Sequence, residues 1–188
     1  MKLILASSSQ FRKNALDLLG LKYEILPAGI DESKIRHENP ENMATLIAKA
    51  KAELISQSEK NAIIISADLF IIHNNSVLEK PASIEEAKSM LSALSESKFK
   101  IITGLTVLNS KTGEEKSCVE SCEVAFRKIN THEIDSYVSN HPVLKFAGAF
   151  DATGLLLFSE KISGNFNFQV GLPMNRLIGF LRYFKVTV

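Results

Sequence analysis

The sequence predicts an α/β fold on a mixed sheet. Three observations carry that reading. Apolar spacing alternates between strand-like runs and helical stripes, capping residues stand at the joints, and two long strand-like segments are joined by a tight turn. With 188 residues, 45% of them apolar, and no Pro/Gly/Ser-rich linker, the chain suits a single domain, 1–188, with one well-filled core. It carries no internal repeat or low-complexity tract.

Lys2 to Ala6 reads as a first strand that runs into Ser7-Ser8-Ser9, where a serine caps a helix carrying Phe11, Ala15, Leu16, Leu18 and Leu19 and ending at Gly20. A short strand, Tyr23 to Leu26, leads into a polar loop that Pro40 ends. A helix follows from about Glu41 to Glu59, with Met43, Leu46, Ile47, Ala50 and Leu54 marking its buried face. At 100° per residue Lys51 falls inside that stripe, between Leu54 and Ile55, and Lys49 points away. Lys51 either snorkels its ammonium to water or aims a cation into a cleft.

Ala62 to Ile72 is an apolar run interrupted by Asp68, and Asn74-Asn75 turns it into Val77-Leu78, a hairpin that brings Lys80 back towards Asp68. Ser83 and Glu86 have capping-box spacing before a helix with Ala87, Met90, Leu91 and Leu94. Lys98–Asn109 and Glu115–Arg127 form the antiparallel pair around Thr112-Gly113, which makes the sheet mixed. Thr131 opens a short helix to Tyr137, and Gly171-Leu172-Pro173 opens a last helix to about Phe184, with the proline at its first position.

The formal charge of +1, with no basic stripe and no interleaved aromatics, argues against a nucleic-acid partner. The apolar N-terminus is too short for a signal peptide or a membrane span. Cys118 and Cys122, four apart on a strand, are separated by roughly 13 Å, beyond disulfide reach. No CxxC or HxxxH suggests zinc, and a reducing cytoplasm fits best. Asn74-Asn75-Ser76 matches a glycosylation sequon but reads as a turn.

Two features carry chemistry. Asp68 either caps a turn after a strand that ends at Ala67, or is a buried metal or catalytic carboxylate that needs a cation beside it. At the first loop, strand, serines and a helix with Arg12 and Lys13 in its first turn make an anion receptor suited to phosphate. Neither GxxxxGK[ST] nor GxGxxG is present.

Leu5-Ala6-Ser7-Ser8-Ser9-Gln10-Phe11-Arg12, Ile30-Asp31-Glu32, Ile47 through Ala52, Ser66-Ala67-Asp68, Glu79-Lys80-Pro81, Thr103-Gly104 and Gly171-Leu172-Pro173 resemble, in order and spacing, the Maf family of nucleotide pyrophosphatases. The resemblance spans nearly the whole chain. It implies a bent mixed β-sheet flanked by helices, with two lobes around a cleft, similar to the inosine triphosphatase group. It also implies a cytoplasmic, commonly homodimeric enzyme that uses Mg²⁺ or Mn²⁺ to cut a nucleoside triphosphate into a monophosphate and pyrophosphate. Carried over by motif, Ser7, Ser9, Arg12, Glu32, Lys51, Asp68 and Lys80 form the site. Asp68, Glu32 and Lys51 take the catalytic roles, and Asp68 and Glu32 also hold the metal.

Substrate choice rests on fewer residues. One branch of the family favours dTTP and UTP and carries two arginines after the serines; another favours 7-methyl-GTP and has an aromatic before one arginine. Phe11-Arg12, Ala147-Gly148-Ala149-Phe150 and Phe158 resemble the second branch. An aromatic face stabilises cationic 7-methylguanine by about 0.5–2 kcal/mol; equally, Phe11 can be plain helix core. Gln10 replaces a usual proline, Leu69 a threonine and Asn165 an aspartate. Thr153 stands where the branches carry glutamine or glutamate, with Asp151 a neighbouring substitute. A module that binds a nucleotide without cutting it, as a regulator of cell division, is the alternative class. The pairing of Glu32, Asp68 and Lys51 favours an enzyme, because simple phosphate binding needs no buried carboxylate.

Overall fold

The structure, a computed structural model, describes residues 1–164 and 171–188; the Asn165 departure lies outside the described residues. Among the described residues the sheet has seven strands: β1 (Lys2–Leu5), β2 (Glu24–Ile25), β3 (Ala62–His73), β4 (Ser76–Leu78), β5 (Lys98–Asn109), β6 (Glu115–Phe126) and β7 (Ser159–Gly164). They lie in the order β2-β1-β3-β5-β6-β7, with β4 paired to β3. β1 runs parallel to β2 and β3, while β4 on β3 and β7 on β6 run antiparallel, so the sheet is mixed as the sequence predicts. Asn74 and Asn75 sit at φ 50° and 62° in the β3–β4 turn, a left-handed conformation that asparagine tolerates.

The described chain divides into two compact units. The first comprises Met1–Leu69, Ile102–Glu120 and Val170–Val188; the second comprises Phe70–Ile101 and Ser121–Gln169. Each draws on separated stretches of sequence, which is why no linker composition announces a division.

In the first unit β3 is covered on both faces, which accounts for its nearly unbroken apolar run. Ile63, Ile65 and Ala67 join a core with Ala15 and Leu16 of α1 (Gln10–Asp17) and Leu177 and Leu181 of α6 (Met174–Tyr183). Ala62 and Ile64 pack instead with Ala52 and Ile55 of α2 (Pro40–Ser58). Strand alternation then turns Ser66 and Asp68 towards α2. The Ser66 hydroxyl donates to the Ala48 carbonyl at 2.6 Å. The strand runs through Asp68 to His73 and does not stop at Ala67.

The buried face of α2 differs from the expected stripe. Met43, Ala44, Ile47, Ala48, Lys51, Ala52 and Ile55 are buried, whereas Leu46 and Leu54 are 42% and 37% exposed. Close approach, not side-chain size, selects the face: Ala44, Ala48 and Ala52 let the helix settle onto the sheet, and Gly104 of β5 admits its backbone. A Cβ at Gly104 would stand 2.5 Å from the Ala44 carbonyl carbon and oxygen. Gly104→Ala is therefore expected to cost about 1–3 kcal/mol or to displace α2, and with it Lys51. A denaturant titration against wild type checks this; an unchanged midpoint and slope would contradict it.

Other elements match their expected positions with adjustments. α1 ends at Asp17, leaving Leu18 77% exposed beyond it. Pro173 precedes α6 instead of opening it. Lys49 is no free surface charge: its ammonium meets Glu115 at 2.7 Å.

The second unit holds α3 (Ile84–Leu94), α4 (Thr131–Asn140) and α5 (Ala152–Phe158). Ser83 accepts from the Glu86 amide at 3.1 Å, but the Glu86 carboxylate reaches back to the Ala82 amide and not to Ser83. The reciprocal box forms at α4 instead, between Asn130 and Glu133. The core here is aromatic: Phe126 packs against Phe99, Phe150 and Phe158 at centroid distances of 4.7, 5.2 and 5.8 Å. Among the described residues no helix is long and apolar enough to cross a membrane.

Candidate active site

Two constellations meet in the first unit. The first is the end of β1 and the start of α1. Ser9 is the N-cap of α1 and accepts from the Arg12 amide over a long 3.5 Å. The Ser7 hydroxyl oxygen accepts from the Ser9 amide at 3.2 Å and from Arg12 Nη1 at 3.0 Å. Both its lone pairs are thereby engaged, leaving Ser7 its proton to donate to a guest. Arg12 Nε donates to the Gly171 carbonyl at 3.2 Å. The guanidinium is thus held on two sides, and among the described residues no bond is made by Nη2.

The second constellation is built around Lys51. Its ammonium lies 2.8 Å from Asp68 Oδ1 and 2.8 Å from Glu32 Oε1. Lys51 and Asp68 are 7% and 6% exposed, while the Glu32 side chain is half exposed. Glu32 begins a short 3₁₀ turn, Glu32–Lys34, fixed by Asp31, whose carboxylate accepts from the Ser33 amide at 3.1 Å. Burial pushes the Asp68 carboxyl above its ordinary value, with Lys51 opposing, Glu32 adding to the rise and Arg12 opposing. Burial likewise lowers the Arg12 guanidinium, which Asp68 and Glu32 counteract. The constellations are therefore coupled electrostatically: two cations and two carboxylates, balanced in charge.

The donor set has a definite chemical bias. Arg12, Ser7 and the N-terminus of α1 offer donors to an anion. Two carboxylates beside an anion repel it unless a cation intervenes, and here Asp68 and Glu32 are already gathered about one ammonium. Among the described residues there is no trio of His, Cys, Asp and Glu that could hold a metal alone. A pair of carboxylates fits Mg²⁺ bound jointly with phosphate oxygens and water.

Of the residues singled out in the sequence, Ser7, Ser9, Arg12, Glu32, Lys51 and Asp68 are gathered in this network. Phe11, the second residue of α1, is partly buried beside Gly171. Lys80 and Thr153 belong to the second unit. Lys80 is exposed two residues past β4, next to Glu79, whose carbonyl accepts from the Gly148 amide at 3.1 Å. Thr153 is exposed in the first turn of α5. Asp151 is the cap of that helix: its Oδ1 accepts from Tyr137 at 2.7 Å and from the Thr153 and Gly154 amides at 3.0 Å. Its Oδ1 is thus taken up by the cap. Gly171 is legible in the sequence as a helix boundary and as part of the Gly171-Leu172-Pro173 motif, but neither signal points to a role for its carbonyl.

The chain matches known proteins along nearly its full length. The family described as Maf-like protein matches residues 2–184. A relative from Nitrosococcus oceani named 7-methyl-GTP pyrophosphatase is 35% identical over 181 residues, 95% of this chain and 91% of that protein. One from Syntrophomonas wolfei named dTTP/UTP pyrophosphatase is 34% identical over 178 residues, 94% of each. Among solved structures, a HAM1 protein from Coxiella burnetii aligns at a TM-score of 0.52 and 17% identity, over 97% of this chain and 99% of that one, which speaks to the fold alone.

Proposed function

The chain belongs to the Maf family, and from that premise we infer that it is a nucleotide pyrophosphatase, a hydrolase that cuts a nucleoside triphosphate between its α and β phosphates. The observation that carries this is the Lys51 ammonium held by Asp68 and Glu32, coupled to the Arg12 and Ser7 donors. A pure phosphate-binding module has no use for a buried carboxylate, and a hydrolase needs a carboxylate to orient or deprotonate water.

Arg12, Ser7, Ser9 and the α1 N-terminus bind the polyphosphate. Asp68 positions the attacking water or takes its proton, and Lys51 keeps that carboxylate ionised against the effect of burial. Asp68 and Glu32 would hold a divalent Mg²⁺ or Mn²⁺, which when bound supplies charge neutralisation of the phosphates. The thiols of Cys118 and Cys122 are free, and burial pushes them up to about 11 and about 12, which suits inert cysteines in a reducing cytoplasm. A homodimer is proposed on the family resemblance alone.

For the base, Phe11 beside a single arginine favours 7-methyl-GTP, because an aromatic face attracts a cationic ring that a second arginine would repel. Thr153 favours neither branch, and the relative named for dTTP and UTP keeps that second reading. A pyrophosphate-release screen with Mg²⁺ and Mn²⁺ against 7-methyl-GTP, GTP, dTTP, UTP and CTP tests the proposal. Selective release from 7-methyl-GTP is the expected result. Preference for dTTP and UTP would move the substrate to the second reading, and nucleotide binding without release would make the protein a regulator.

A further inference from the structure

The geometry points to Gly171 as a positioning residue: its main-chain carbonyl sets the plane of the Arg12 guanidinium so that the remaining N–H groups face a polyphosphate. This rests on the reading of Arg12 as a phosphate-binding group.

Arg12 is long and flexible, and by itself would sample many rotamers. Two bonds remove that freedom. Nε donates to the Gly171 carbonyl at 3.2 Å, and Nη1 donates to Ser7 Oγ at 3.0 Å. Nitrogens on either side of the guanidinium carbon are thereby fixed, and a planar group held at two nitrogens has its plane determined. The donors that no described residue occupies, both on Nη2 and one on Nη1, are then presented as a fork. Ser7 is attached to the end of β1, whereas Gly171 stands before α6, so the clamp joins two distant points of the sequence within one unit.

The glycine matters through its backbone. Gly171 has φ +69°, where L side chains are strained. Space is not the obstacle: an added Cβ would meet Arg12 Cγ at 3.5 Å and Phe11 Cβ at 3.8 Å, ordinary contact distances. A substitution therefore acts by turning the peptide, and the carbonyl with it, out of the left-handed conformation. Asparagine adopts that conformation readily, alanine less so, and a β-branched residue least. A graded series follows from this, with a different order from one set by side-chain bulk alone.

The test uses the full chain and two readouts. The first is kinetic: G171V is expected to raise KM for the hydrolysed nucleotide about tenfold with kcat within about threefold, and G171N to recover most of that loss. G171A falls between them and serves as the reporter if G171V does not fold. In an R12K background, G171V is expected to add less than about twofold, because the group it positions is gone. The second is the Arg12 Nε–H signal by NMR, protected from exchange in wild type and G171N and lost in G171V, followed also during titration with inorganic tripolyphosphate.

A KM rise undiminished in the R12K background, G171N as poor as G171V, or an Nε–H signal that survives G171V would overturn the assignment. Should wild type hydrolyse no nucleotide, the pyrophosphatase reading fails, while the Nε–H series still decides whether Gly171 positions Arg12.

Discussion

Exchange of Asp68 for asparagine is expected to bring pyrophosphate release to below about one-hundredth of wild type while leaving the fold in place. The substitution keeps the shape of the side chain and an oxygen for Lys51, which also retains Glu32 at 2.8 Å. Stability follows from the sign of the Asp68 shift. Burial raises this carboxyl above 3.8, so the folded chain binds its proton more tightly than the unfolded one. The stability this confers is present below 3.8 and is lost as pH rises past the folded value. Above the folded value the group is thus no net contributor, and an uncharged isostere should leave the melting temperature within a few degrees. Circular dichroism and a pyrophosphate assay on the same preparation check both halves. Retained turnover in a folded variant would remove Asp68 from the chemistry.

Lys51→Met should do the opposite to stability. It deletes the cation against which a 6% exposed carboxylate is held, and breaking a buried pair from one side costs about 3–5 kcal/mol. Because the loss falls on an ionised Asp68, it should be larger at alkaline than at acidic pH, shrinking as the further-raised carboxyl takes up a proton. Urea midpoints at an alkaline and an acidic pH measure this without nucleotide or metal. An equal loss at both would show that Lys51 acts through the packing of its stem. Pairing Lys51→Met with Asp68→Leu should recover much of the stability, since no lone charge is then left inside.

Asp68 and Lys51 were legible because each breaks a pattern: a carboxylate in an apolar strand and an ammonium in an apolar stripe. The periodicity placed Lys51 inward but chose the wrong neighbours, taking Leu46 and Leu54 as core when they face solvent. Large side chains dominate a hydrophobic pattern, whereas α2 is docked through Ala44, Ala48 and Ala52 against a strand that carries Gly104. Small residues permit close approach without announcing it. Within 143–164, α5 and β7 were not anticipated. α5 is only seven residues long and contains Thr153 and Gly154, and its start depends on Asp151 and on Tyr137, fourteen positions earlier. Propensity within a window has no access to such a tie. The same holds for the Gly171 carbonyl, a backbone group that any residue would supply in the sequence but that only a left-handed conformation aims at Arg12.

Hydrolysis in ¹⁸O-labelled water tests most directly whether this network activates water against the α phosphorus of a nucleoside triphosphate. Mass spectrometry of the products should find the label in the nucleoside monophosphate and none in pyrophosphate. Label in pyrophosphate or in inorganic phosphate, with the monophosphate unlabelled, would contradict the account.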